Sequence, residues 1–200
     1  IDKEESQSII TAAWQREVFQ ISIPFTDNAS IENAIHCWCI LLHLKIPHAA
    51  IQQKMQRLAT VAMRLELKNG INNCSIINDS YSADLSSLKI ALDFLMHQQQ
   101  HAKRSVILSD ILQSGKVEKE LYQEVAQALE QHKINRFIGI GKKISLHKHA
   151  FEAVPFLELS FYDSVHDFKK DFHNFSCRDE TILLKGARIY ELEQIDALLE

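Results

Sequence analysis

No apolar run in this chain approaches the length needed to span a bilayer, so no membrane-crossing helix is expected. The first residues given are not expected to form a signal peptide either. The opening Ile1-Asp2-Lys3-Glu4-Glu5, which has no initiator methionine, is expected to be a cut through a longer chain. Charge of one sign is scarce too: 22 basic against 26 acidic residues leave a net −4, which gives no reason to expect nucleic acid or an anionic membrane as partner. The cysteines are Cys37, Cys39, Cys74 and Cys177, spaced for neither a zinc site nor a disulfide framework. Reduced thiols in a cytoplasmic protein follow as the expectation. Cys37-Trp38-Cys39 lies in an apolar helical run and reads as core packing. The GxxxxGK[ST] phosphate loop is absent, and neither His97/His101 nor His147/His149 has the carboxylate of a metal-binding HExxH helix. No nucleophile triad can be argued from the order of residues, and there is no internal repeat.

What is present is an ordinary globular composition, 46% apolar and 24% charged, with room for one α/β domain and an extra piece, or two small domains. The chain is organised around Cys74-Ser75-Ile76-Ile77-Asn78-Asp79-Ser80-Tyr81-Ser82-Ala83-Asp84, a short apolar strand that breaks at a polar turn. It restarts as a helix capped by Asp84 or Ser86, with Leu88, Ala91, Leu92 and Leu95 as the buried stripe.

Before this stretch, 17–23 alternates as a strand that Pro24 ends, and Ser30 is placed to cap a helix over 31–44. That helix is apolar on most of its surface and is expected to be buried, on a neighbouring domain or on a second copy in a homodimer. Pro47 separates it from a helix over 48–58, with Ile51, Met55 and Leu58 inward. An alternating strand over 61–68 closes at Asn69-Gly70, a hairpin signal. Beyond the central stretch, strands are expected at 104–108, 136–140, 155–159 and 181–184. Helices are expected at 117–132, after Gly141, at 165–175 and at 190–199. Alternation of this kind specifies α/β: a mostly parallel, Rossmann-like sheet covered on both faces. Right-handed crossovers put the loops 78–84, 109–115 and 185–188 on one edge, near one another.

Asp79 at the strand end suits a ribose, a metal-bound water or a basic partner, or equally a plain turn. Lys185-Gly186-Ala187-Arg188 sets two cations beside a glycine after a strand, an arrangement for carboxylate or phosphate or a solvated loop. Arg64 stands in an otherwise apolar strand.

These residues resemble the Mur ligases. Asn78-Asp79-Ser80-Tyr81-Ser82-Ala83 is similar to the DDSYNAN signature of the branch that adds D-alanyl-D-alanine to UDP-N-acetylmuramoyl-tripeptide. Ser30-Ile31-Glu32-Asn33-Ala34 resembles the end of the HNxxNALAA helix, and Ala62-Met63-Arg64-Leu65-Glu66 the GRxE strand. Leu108-Ser109-Asp110-Ile111-Leu112-Gln113-Ser114-Gly115 resembles the LGDMLELG loop, and Leu184-Lys185-Gly186-Ala187-Arg188 resembles VKGSR. Tyr81 favours the D-alanyl-D-alanine branch over those carrying DSK or DYAH. The surrounding wording resembles the form fused to an alanine racemase, which would begin beyond Glu200; pyridoxal phosphate would enter only with it.

The resemblance implies residues 1–68 as the end of a central ATP-binding domain and 69–200 as the Rossmann-like C-terminal domain of a cytoplasmic ligase. ATP phosphorylates the tripeptide, and the dipeptide amine attacks the acyl phosphate. The phosphate loop and Mg²⁺ ligands lie upstream, so the fragment is expected to be inactive without the rest of the ligase chain. Asn33, Arg64, Asp79 and Tyr81 fall to the nucleotide side; Ser82, Asp110, Lys185 and Arg188 fall to the dipeptide side. Ser82, Leu85, Ser109 and Ala187 depart from the family pattern, and Tyr122 stands where many relatives have histidine. Two rival readings are a non-catalytic Rossmann-like docking domain and a ligase of the same superfamily adding another amino acid.

Overall fold

The computed structural model describes residues 1–4, 7–14, 17–59, 63–112 and 114–200. The chain divides into two compact units, Ile1–Thr60 and Val61–Glu200.

In the smaller unit, β1 (Asp2–Lys3), β2 (Ser8–Trp14) and β3 (Glu17–Ile23) form an antiparallel sheet in that order. The β2–β3 register sets Ile10 opposite Ile21 and Ala12 opposite Phe19, so strand alternation places them on one face. That face packs against Ile31, Ala34 and Trp38 of α1 (Asn28–His43) and against Ile51 and Met55 of α2 (His48–Met55). The carboxylate of Asp27, not the side chain of Ser30, caps α1, accepting from the Ser30 amide at 2.8 Å.

One expectation for α1 is corrected. Within the chain one stripe of the helix is buried, and Cys37 and Cys39, read as core packing, are exposed along with Ile40 and Leu44. Each residue advances about 100° around a helix, so the neighbours of an inward Trp38 turn away from the core on both sides. Leu58 lies beyond the end of α2 and is exposed. Strands β1 and β2 were not expected from the sequence.

The larger unit is a six-stranded sheet in the order β4-β5-β9-β6-β7-β8. Its strands are β4 (Glu66–Gly70), β5 (Cys74–Asp79), β6 (Lys103–Ser109), β7 (Arg136–Ile140), β8 (Glu158–Tyr162) and β9 (Glu180–Lys185). Only β4 runs antiparallel to its neighbour, so the expected mostly parallel sheet is present. On one face Ile77, Val106, Leu108, Phe137 and Leu183 pack against α3 (Leu85–His97), α4 (Glu118–Gln131) and α6 (His149–Glu152). On the other, Ile76, Ile107, Ile138, Ile182 and Leu184 meet α7 (Val165–Asp171) and α8 (Glu193–Leu199). The short α5 (Lys142–Leu146) follows β7. Leu88, Ala91, Leu92 and Leu95 are the buried residues of α3, as their spacing requires.

The first strand of this unit differs from expectation. Val61 and Ala62 lie outside the described residues, and Met63 and Leu65 adopt left-handed backbone (φ 62 and 47) before pairing begins at Glu66. Side-chain carboxylates take the amides that a partner strand would have taken: Glu66 accepts from Met63 N at 3.2 Å, and Asp79 from Leu65 N at 3.3 Å. Asn69 and Gly70 belong to β4 itself, and the turn is Ile71–Asn73. There Asn72 and Asn73 take the positive φ that asparagine tolerates. The compact units divide ahead of residue 68 because β4 is a strand of the larger sheet.

Nearer the C-terminus, β8 starts at Glu158 rather than Pro155, fixed by its pairing with Arg136. The helix expected over 165–175 ends at Asp171 and gives way to a single tight turn, Phe172–Asn174. A left-handed Glu191 likewise separates the turn Arg188–Tyr190 from α8.

Strand β9, last in sequence, lies between β5 and β6. The helices leaving β5 and β6 cover one face, and the helix leaving β9 covers the other. Connections that diverge in this way leave crevices beyond the carboxyl ends of the strands, the place where open α/β sheets bind ligands.

Candidate functional site at the β5, β9 and β6 strand ends

The register sets Asp79, the last residue of β5, opposite Lys185, the last of β9. Lys185 Nζ donates to Asp79 Oδ2 at 2.7 Å and to the Ser82 carbonyl at 2.7 Å. Its side chain is 1% exposed, so this cation is held inside the loop cluster and does not project from it. Burial pushes the Asp79 carboxyl above its ordinary range, while the charge and hydrogen bond of Lys185, the Leu65 amide and the charge of Arg64 pull it back.

Two further links bring the three expected loops together. Arg188 N donates to the Tyr81 carbonyl at 3.2 Å. Ala187 N donates to Ser109 Oγ at 2.9 Å. Ser109 therefore ties the end of β6 to the loop after β9.

Tyr81 is half exposed, and the Arg64 guanidinium lies 4.6 Å from its ring centroid, a cation–π arrangement. Arg188 is exposed beside it, with Nη1 3.2 Å from Met63 Sδ. Ser82 is exposed, and it is its backbone carbonyl that Lys185 holds. The structure thus gathers Arg64, Asp79, Tyr81, Ser82, Lys185 and Arg188. Asn33 lies on α1 of the smaller unit, where it is exposed.

Asp110 is 2% exposed and anchors the neighbouring loops. Its Oδ1 accepts from Ile144 N at 2.7 Å and from Tyr122 Oη at 3.3 Å. Its Oδ2 accepts from Tyr190 Oη at 2.8 Å and Lys143 N at 3.2 Å. Burial pushes both phenols above their ordinary value, and the charge and hydrogen bond of Asp110 add to it, so both tyrosines remain donors. Gly141 makes this approach feasible: its φ is +136, and a Cβ there would lie 2.3 Å from Asp110 Cγ. Gln113, in the same loop, lies outside the described residues.

Sequence reasoning missed Tyr190, Asn78 and Asp196. Tyr190 lies 80 residues from its partner Asp110, and no local pattern marks such a link. Asn78 was visible as part of the signature, without a role.

The fold and this site define an open α/β domain whose polar loops converge at the switch point of a Rossmann-like sheet. No family model matches the chain. It is 25% identical over 174 residues to the UDP-N-acetylmuramoyl-tripeptide--D-alanyl-D-alanine ligase of Bacillus subtilis (strain 168), covering 86% of this chain and 38% of that protein. The protein of the same name from Buchnera aphidicola subsp. Acyrthosiphon pisum is 26% identical over 179 residues, 88% of this chain and 37% of its own length. Among solved structures, a MurF from Acinetobacter baumannii matches with a TM-score of 0.79 at 16% identity, over 97% of this chain and 42% of that one. The MurF ligase of Thermotoga maritima in complex with ADP gives 0.70 over 98% of this chain and 44% of that one. The chain resembles the Mur ligases in sequence and fold, and it spans about two fifths of the length of the relatives it matches.

Proposed function

We propose that this chain is the C-terminal part of an ATP-dependent ligase that joins D-alanyl-D-alanine to UDP-N-acetylmuramoyl-tripeptide in cytoplasmic peptidoglycan precursor synthesis. The observation that carries this is the convergence of Asp79, Tyr81, Arg64, Lys185 and Arg188 at the strand ends, in a chain whose curated relatives bear that ligase's name. In this reading the smaller unit closes a central ATP-binding domain, and the larger one is the C-terminal domain.

The exposed Arg64 and Arg188 suit anionic groups by charge and by their forked donors. Arg64, Tyr81 and Asp79 serve the nucleotide side; Arg188 and Ser82 serve the dipeptide carboxylate. Lys185 contributes to the dipeptide side by holding the Ser82 carbonyl in place. Asp110 contributes by fixing the loop that follows β6.

ATP supplies the phosphoryl group that activates the tripeptide carboxylate. In this reading Mg²⁺ is held by parts of the ligase outside this chain. The test is turnover by the full-length protein. We expect phosphate release that requires tripeptide and D-alanyl-D-alanine together, a KM for the dipeptide raised at least tenfold in Arg188→Ala, and no turnover by the 200-residue chain alone. Ligation by the short chain would overturn the reading.

The enclosure of the Lys185 ammonium favours a second reading, a domain that only docks its neighbours. Calorimetry of the full-length protein with D-alanyl-D-alanine separates the two, because docking alone leaves the affinity unchanged in Arg188→Ala.

A further inference from the structure

Asp196 lies in α8, outside every loop of the site, and is 6% exposed. Its Oδ2 accepts from Asn78 Nδ2 at 2.6 Å and from Lys68 Nζ at 2.7 Å. Asn78, 1% exposed, turns its Oδ1 toward Ser80, accepting from the hydroxyl at 2.6 Å and from the amide at 3.2 Å. Lys68 also reaches Glu200 Oε1 at 2.7 Å, so edge strand, second strand and final helix meet at one carboxylate.

The chemistry of these groups sets a direction. An ionised carboxylate only accepts, so the end of the Asn78 amide facing it must be the NH₂. The opposite end, the carbonyl, then faces Ser80. Were the amide reversed, its carbonyl would confront the Asp196 carboxylate and the buried Ser80 N–H would lose its acceptor. Ser80 sits between Asp79 and Tyr81, so its amide helps to fix where the chain turns out of β5.

We propose that Asp196 is a positioning residue: through Asn78 it orients the turn at Ser80 and thereby the presentation of Asp79 and Tyr81. The proposal rests on the ligase reading for what the turn serves, but not for the relay itself.

Two measurements test it. In the 200-residue chain, amide exchange at Ser80 should accelerate about fivefold or more in Asp196→Ala, the worth of roughly one buried hydrogen bond, while Ile77 within β5 stays protected. In the full-length ligase, Asn78→Asp sets two carboxylates against each other and should raise the KM for ATP about fivefold or more, with kcat within about twofold. The exchange Asn78→Asp with Asp196→Asn, made in a Lys68→Met background because Asp196 Oδ2 also accepts from Lys68, rebuilds the donor–acceptor pair and should return the KM to near that of Lys68→Met alone, including where Asn78→Asp alone fails to fold. Unchanged Ser80 exchange in Asp196→Ala overturns the relay whether or not the protein is a ligase. A restored melting temperature without a restored KM in the exchanged pair also overturns it. A wild-type protein without turnover, but with the Ser80 effect intact, overturns only the ligase reading.

Discussion

Lys185 and Asp79 stand opposite each other at the ends of two parallel strands, joined at 2.7 Å with the lysine side chain 1% exposed. Breaking such a pair from one side strands the other charge in the interior, at a cost of about 3–5 kcal/mol. We expect Lys185→Ala to lose that much stability in chemical denaturation. The double variant Lys185→Met with Asp79→Asn should lose less than the sum of its singles, because neither charge is then left alone.

Gly141 is held at a backbone conformation and at a distance from Asp110 that no side chain accommodates. Gly141→Ala must displace the Asp110 carboxylate and with it the Tyr190, Lys143 and Ile144 donors. The expected loss is about 2–4 kcal/mol, from strain plus unpaired buried donors, read as a lower denaturation midpoint. Gly115, with positive φ but open space around it, should tolerate alanine at a cost of only about 1 kcal/mol.

Asp84 caps α3 reciprocally with Ser87, accepting from its amide at 2.9 Å. Burial raises this carboxyl, but the Ser87 amide and hydroxyl outweigh it and hold the folded value below the ordinary 3.8. A carboxylate depressed in the folded state contributes stability above its unfolded value that is lost as pH falls through its folded one. Asp84→Ala should cost about 1 kcal/mol at pH 7. The difference from wild type should shrink below about pH 3.8, checked by thermal unfolding across that range.

Arg64 is exposed and lies over the Tyr81 ring. Arg64→Ala should therefore change stability by no more than about 0.5–1 kcal/mol. In the full-length protein the same change should weaken ATP binding, and the deficit should narrow as salt is raised. A large stability loss with unchanged ATP affinity would assign Arg64 a packing role instead.

The parallel sheet was readable because short apolar runs such as Cys74–Asp79 and Arg136–Ile140 alternate along the chain with helical stripes such as that of α3. The convergence of three loops followed from handedness alone, and the bonds from Lys185 to Ser82 and from Ala187 to Ser109 bear it out. What the sequence hid is tertiary. Side-chain carboxylates took the amides of Met63 and Leu65 and bent an expected strand. Lys185, read as a loop cation for carboxylate or phosphate or as part of a solvated loop, is enclosed and paired with a cross-strand aspartate. Cys37 and Cys39 looked like core because an apolar helix has no local mark for which neighbour of Trp38 turns outward.

Strand β9 lies between β5 and β6 but follows every other strand of this sheet in sequence. Until Glu180–Lys185 is made, β5 and β6 have no partner between them, and each presents an unpaired edge. The sheet therefore closes only after about nine tenths of this chain has been synthesised, and its central contacts are all long-range, a topology that folds slowly. The same late strand carries Lys185, so the partner of Asp79 arrives with the element that completes the sheet.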